Sequence, residues 1–197
     1  MVLDKDVCTD IKYYQLYLKE LISDYYINES ICDFYDENKS LYIRYGNCLS
    51  DISKSLKYRQ HMLCYLLFYE DKESKSIPKL LNRIRDTKII KDKELDKAIK
   101  ILAKEIEDYV DSNKKDIENL KEYRHNVYAH WNKKLFDQNW QNEFQSQHTF
   151  DFEKIITLSQ KCIETLSIIL SFLGEDSYVY PEPDTHYIEK FIKKLKS

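Results

Sequence analysis

Two glycines and three prolines in 197 residues leave this chain few places to reverse direction. Strand-rich folds need turn residues at every hairpin, so the scarcity favours a few long helices. The apolar residues agree. Ile11, Tyr14, Leu18, Leu21 and Tyr25 recur at steps of three and four, the period of one helix face. Asn28 is the next place on that stripe and can end or kink the helix; residues 36–39 are a clearer polar break. A second helix follows through Leu41, Tyr45, Cys48, Ile52, Leu56, Leu63 and Leu67, with Gly46 inside it permitting close packing. Ser76-Ile77-Pro78 opens a short third helix ending near Asp86, with serine as the cap and proline in the first turn.

A fourth pattern runs from Asp92 or Glu94 to about Phe136, and the polar patch at 111–116 can kink or split it. Residues 137–148 read as a loop pinned by Trp140, Phe144 and Phe150. The most apolar helix starts at Thr149 or Asp151, stops at Gly174, and is expected at the centre. A last amphipathic helix covers about 185–195. The expected fold is all-α: an antiparallel bundle of about five long helices plus short ones, in one domain over residues 1–197.

Composition narrows the function. A net charge of -3 argues against a constitutive nucleic-acid coat, yet allows an enzyme that touches RNA through a local positive groove. The 17 tyrosines read as core and interface packing with hydroxyls reaching water. Cys8, Cys32, Cys48, Cys64 and Cys162 are scattered without a CxxC pair, and no signal peptide is apparent, which predicts reduced thiols in the cytoplasm. No HExxH or Cys/His ligand spacing occurs, so no metal or cofactor is expected. No apolar run approaches ~18 residues, so no membrane span is expected. Phosphate loops, dinucleotide fingerprints and nucleophile elbows all need glycines that the chain lacks.

The richest stretch ends the fourth pattern: Leu120-Lys121-Glu122-Tyr123-Arg124-His125-Asn126-Val127-Tyr128-Ala129-His130-Trp131. On an α-helix Asn126 and His130 share a face, and Arg124 lies ~120° away. The apolar seam through Ile117 and Leu120 passes through Arg124 before Val127. A cation there is costly unless paired, wet or at an interface, which points to a polar site where the motif helices of two subunits meet. From spacing alone the commoner reading is an arginine on a frayed seam and a histidine satisfied in the core. The chemistry the pair would suit is transesterification at an RNA phosphate. Histidine titrates near neutrality and can take the 2′-OH proton or protonate the departing 5′ oxygen. Arginine can stabilise the pentacoordinate phosphate, and Asn126 can orient the imidazole or donate to a phosphate oxygen.

Arg124 to His130 resembles the R-x(4–6)-H signature of the HEPN superfamily of ribonucleases. The Ala129-His130 ending, Tyr69-Glu70-Asp71, and the run from Ser76 to Leu81 look most similar to the AbiU-type abortive-infection branch. The likeness runs from about residue 40 to the C-terminus. It implies a homodimer with the motifs meeting across the interface, RNA cleavage without metal, and a role in bacterial phage defence or as a toxin with an antitoxin partner. Arg124, His130, Asn126 and His125 are then the catalytic candidates, and Lys133, Lys134 and Tyr128 the RNA-binding ones. Many members have Asn directly after Arg; here His125 holds that place and Asn126 follows, so either can be the supporting polar residue. Members paired with a nucleotidyltransferase antitoxin often carry a tyrosine two past the histidine, where this chain has Asn132. The rival class is a helical dimer that binds a protein or nucleotide without turnover.

Overall fold

The computed structural model describes residues 5–69, 75–86, 88–129, 143–144, 146–177 and 179–195, and among them there is no strand. Two long helices, α1 (Lys5–Glu37) and α2 (Lys39–Phe68), form an antiparallel hairpin. Its direction is fixed by pairs whose numbers run oppositely: Glu20 and Asp24 on Arg59, Asn28 on Ser53, and Tyr35 on Gly46. Asn38 alone is non-helical between them, and its side chain donates to the Phe34 carbonyl at 3.1 Å. α1 does not break at Asn28, because that buried side chain accepts a 2.6 Å bond from the Ser53 hydroxyl. Gly46 is buried, and its carbonyl accepts from the Tyr35 hydroxyl at 2.9 Å.

The short α3 (Ile77–Asp86) buries Ile77, Leu80, Leu81 and Ile84. Ser76 does not cap it through its hydroxyl, which is buried and unbonded among the described residues; the Ser76 carbonyl accepts from Leu80 N instead. The fourth pattern splits where the polar patch allowed. α4 (Lys93–Ser112) is capped by the Asp92 carboxylate on Glu94 N and Leu95 N, and α5 (Lys114–Tyr123) restarts after Asn113. α-Helical geometry ends at Tyr123 rather than continuing, and a π-helical turn covers Arg124–Ala129.

The apolar helix, α6 (Phe152–Phe172), is capped by Asp151 and lies antiparallel to α1, with Gln15 donating to the Ile163 carbonyl and the Ser167 hydroxyl. It stops at Gly174, whose φ is 76°. Glu175 N bonds to Leu170 O and Gly174 N to Ser171 O, the paired bonds of a glycine-terminated helix. By length and composition α6 could cross a membrane, contrary to the sequence expectation, but more than half of it is buried inside the protein. The main core joins it to α1, α2, α3, α4 and α5, and holds Cys8, Cys64 and Cys162. Burial pushes the Cys162 thiol up to about 12 and Cys64 higher still, so neither is a thiolate at neutral pH. A second cluster of Ile31, Phe34 and Leu49 is covered by Ile188, Ile192 and Leu195 of α7 (His186–Leu195).

Asp24 is 4% exposed within the α1–α2 hairpin. Arg59 Nε is 3.2 Å from its Oδ2 but is not aligned for a hydrogen bond, and the same guanidinium is 2.8 Å from Glu20. Desolvation outweighs the Arg59 charge and raises the Asp24 pKa to about 6. The folded state therefore binds the proton more tightly than the unfolded chain. The associated stability is present below about pH 4 and is lost as pH rises through about 6, an effect on the order of 2 kcal/mol. Asp24→Asn is expected to raise stability relative to the parent at pH 8 and to narrow that advantage at pH 5. Urea denaturation of both proteins at the two pH values checks this; a constant difference would contradict it.

Candidate active site

α5 is held down by buried Ile117 and Leu120, which fixes the direction of the residues that follow. Tyr123 packs on Phe144 and Phe150 at 5.4 Å each and on the His61 ring at 5.7 Å. His61 belongs to α2, is 6% exposed, and is also contacted by Phe150 and Phe152. Its Nδ1 lies 2.5 Å from the Lys57 carbonyl. A carbonyl can only accept, so Nδ1 carries the proton and Nε2 is the basic nitrogen of the neutral ring. Burial lowers the His61 pKa, favouring that neutral form.

One turn further along α2, Tyr65 receives Arg124. The guanidinium carbon is 4.0 Å from the ring centroid, a cation–π contact. Tyr69 stacks on Tyr65 at 4.9 Å, and Lys121 lies over Tyr69 with its ammonium 4.5 Å from the centroid. The Tyr69 hydroxyl, hydrogen-bonded to it, raises the Lys121 pKa and keeps the amine charged. Two cations three residues apart on one helix thus rest on two tyrosines four apart on another. Arg124 is half-buried, and its Nε has no hydrogen-bond partner among the described residues. The guanidinium is oriented by stacking and keeps hydrogen-bonding capacity that a phosphate oxygen could use.

Asn126 is engaged differently. Its amide donates to the Glu122 carbonyl at 3.0 Å and to Glu122 Oε2 at 3.2 Å, back along its own helix. A side-chain donor to a carbonyl four residues back supports the change from four- to five-residue backbone bonding in the π turn. His125 is exposed. No hydrogen bond joins Arg124 to either residue among those described. His130, Lys133, Lys134, Asn132 and Trp140 lie outside the described residues, as does the side chain of Tyr128. The π turn corrects the phase assigned from α geometry: across 124–129 residues five apart stack, so the four-residue relation of Asn126 to His130 does not carry over. No His, Cys, Asp and Glu group among the described residues could hold a metal ion.

A family model for AbiU2, within the HEPN group, matches residues 11–193. The chain belongs to the AbiU2 family. No curated protein and no solved structure matches it. The AbiU2 match begins at Ile11 and so takes in α1, which the resemblance read from about residue 40 did not reach. It spans the whole cation–tyrosine rail as well as the Arg–His motif. Tyr65, Tyr69, Lys121 and His61 were not identified from the sequence of this AbiU2 chain. Two spacings carried a signal: Lys121 and Arg124 at i, i+3, and Tyr65 and Tyr69 at i, i+4. Neither spacing says that the two pairs face each other.

Proposed function

We propose that this chain is a metal-independent endoribonuclease acting in bacterial phage defence or as the toxin of a toxin–antitoxin pair. The 2′ oxygen attacks the adjacent phosphorus as the bond to the 5′ oxygen breaks, leaving a 2′,3′-cyclic phosphate and a 5′-hydroxyl. His130 moves the proton, Arg124 stabilises the charge on the phosphorane, and His125 or Asn126 supports them. Lys133, Lys134 and Tyr128 hold the RNA. Two motifs meet across a homodimer in the cytoplasm. AbiU2 membership supports the reading, and one observation carries it: Arg124 is held by its ring contact while Nε stays unbonded. Purified protein is expected to sediment as a dimer and to cleave RNA in excess EDTA, leaving cyclic phosphate ends. Activity that vanishes with EDTA and returns with Mg²⁺ or Mn²⁺ would overturn the mechanism.

A second reading is a non-catalytic dimer that binds a protein or nucleotide. The local engagement of Asn126 by Glu122, and of Arg124 by Tyr65, favours it to that extent. Full-length RNA recovered after prolonged incubation with the dimer would decide for this reading.

A further inference from the structure

α7 is amphipathic, but its outward side is not simply solvated. Ile188, Ile192 and Leu195 face the protein and cover the second apolar cluster. Tyr187, Lys190, Phe191 and Lys194 follow the i, i+3, i+4, i+7 rule on another stripe, with Lys193 beside it. Tyr187 is 80% exposed and Phe191 40%, an uncommon state for two aromatic rings one turn apart. These five residues line an open groove of about 630 Å³. Glu189, the helix's acidic residue, points round the other way and is held by the Thr185 hydroxyl at 2.5 Å. The segment leading into α7 is tied to α1, with Lys19 donating to the Glu182 carbonyl and Asp184 N donating to the Ser23 hydroxyl.

We propose that the Tyr187–Lys194 face of α7 is a binding surface for single-stranded RNA, separate from the Arg124 rail. Exposed rings interleaved with lysines are what a flexible anionic polymer with flat bases requires: bases stack on the rings while the ammonium groups follow the phosphates. Tyr187 and Phe191 are one turn apart, ~6 Å along the axis, so successive rings can each take a base. An anionic membrane surface fits less well. A helix lying in a membrane needs a broad outward apolar face, and the aliphatic face of α7 is already spent on the protein. The surface packs near Leu49, whereas Arg124 rests on Tyr65, ~24 Å further along α2. RNA would thus have an anchoring point remote from the proposed cleavage point. The choice of RNA rests on the ribonuclease reading, but the site is tested without cleavage.

The probe is a short, labelled, mixed-sequence 2′-O-methyl RNA, which has no free 2′-OH and so cannot be cut by transesterification. Its anisotropy is titrated with the full chain over a range of salt. Tyr187→Ala and Phe191→Ala are each expected to weaken binding by roughly 5- to 150-fold. Lys190→Gln combined with Lys193→Gln is expected to lower the salt dependence by about 0.7 in slope per lysine removed. Helical content should be unchanged in all three, since these side chains face outward. Wild-type affinity in all three variants would overturn the proposal. So would displacement of the probe by poly-glutamate as effective as by unlabelled RNA, or loss of phosphatidylglycerol vesicle binding in the variants while RNA binding persists. Parent protein that binds the probe through α7 yet never cleaves RNA would sink the ribonuclease reading and leave this surface standing.

Discussion

His130→Ala is expected to abolish RNA cleavage while leaving helical content and dimer intact. A histidine acting as general acid or base contributes roughly 10²–10⁴-fold in rate, so cleavage should fall to background on ordinary assay times. The structural cost should be small, because the main core is completed by Ile117, Leu120 and the residues of α6 without the motif's last residue. Cleavage by the parent and variant, measured beside their thermal melts, separates the roles. Full activity in His130→Ala would remove the catalytic assignment outright. A variant that melts many degrees lower would make His130 a packing residue instead.

Arg124 gives the second large effect, and here geometry refines what the seam suggested. Arg124→Ala should lose most activity, since no other group of the motif supplies a planar cation to the phosphorane. Taken as a misfit on an apolar seam, the arginine could be removed at no cost to stability. The contact with Tyr65 predicts a modest penalty, about 0.5–1 kcal/mol, from loss of a partly exposed cation–π pair. Arg124→Lys should retain part of that contact and still cleave poorly, because an ammonium lacks the fork that meets two phosphate oxygens. Tyr65→Leu keeps the charge but removes the ring that orients it. Its loss should be intermediate in rate and similar to Arg124→Ala in stability. If Tyr65→Leu cleaves at the parent's rate, the rail plays no part in positioning the guanidinium.

The helices were legible because their ends are written locally. Asp92 and Asp151 accept backbone N–H groups at their own helix starts, Gly174 adopts the left-handed conformation that favours glycine, and the polar run at 111–116 contains the break. Asn28 was ambiguous for the opposite reason. Whether a polar residue on an apolar stripe ends a helix depends on a partner such as Ser53, which the stripe does not contain. The site divides the same way. Arg124 could be picked out as a charge on a seam, but Tyr65 is named only by the packing of α5 on α2. His61 is buried by rings from three separate parts of the chain, Tyr123, Phe150 and Phe152, and no periodicity in α2 marks it. The π turn leaves no trace in residue spacing because it depends on which backbone carbonyl each N–H chooses.

That turn also governs how the chain could tolerate a change of length. A π turn holds about one residue more than the α-helical path it replaces. Loss of a single residue within 124–129 could be absorbed by reversion to α geometry, leaving the buried anchors Ile117 and Leu120 undisturbed. Everything beyond would then swing by about 100° relative to the core. Such a deletion would be nearly silent in a melting curve and severe in any assay that reads the motif. Folding and active-site alignment are therefore under separate control at this point, and a variant's stability there is no guide to its competence.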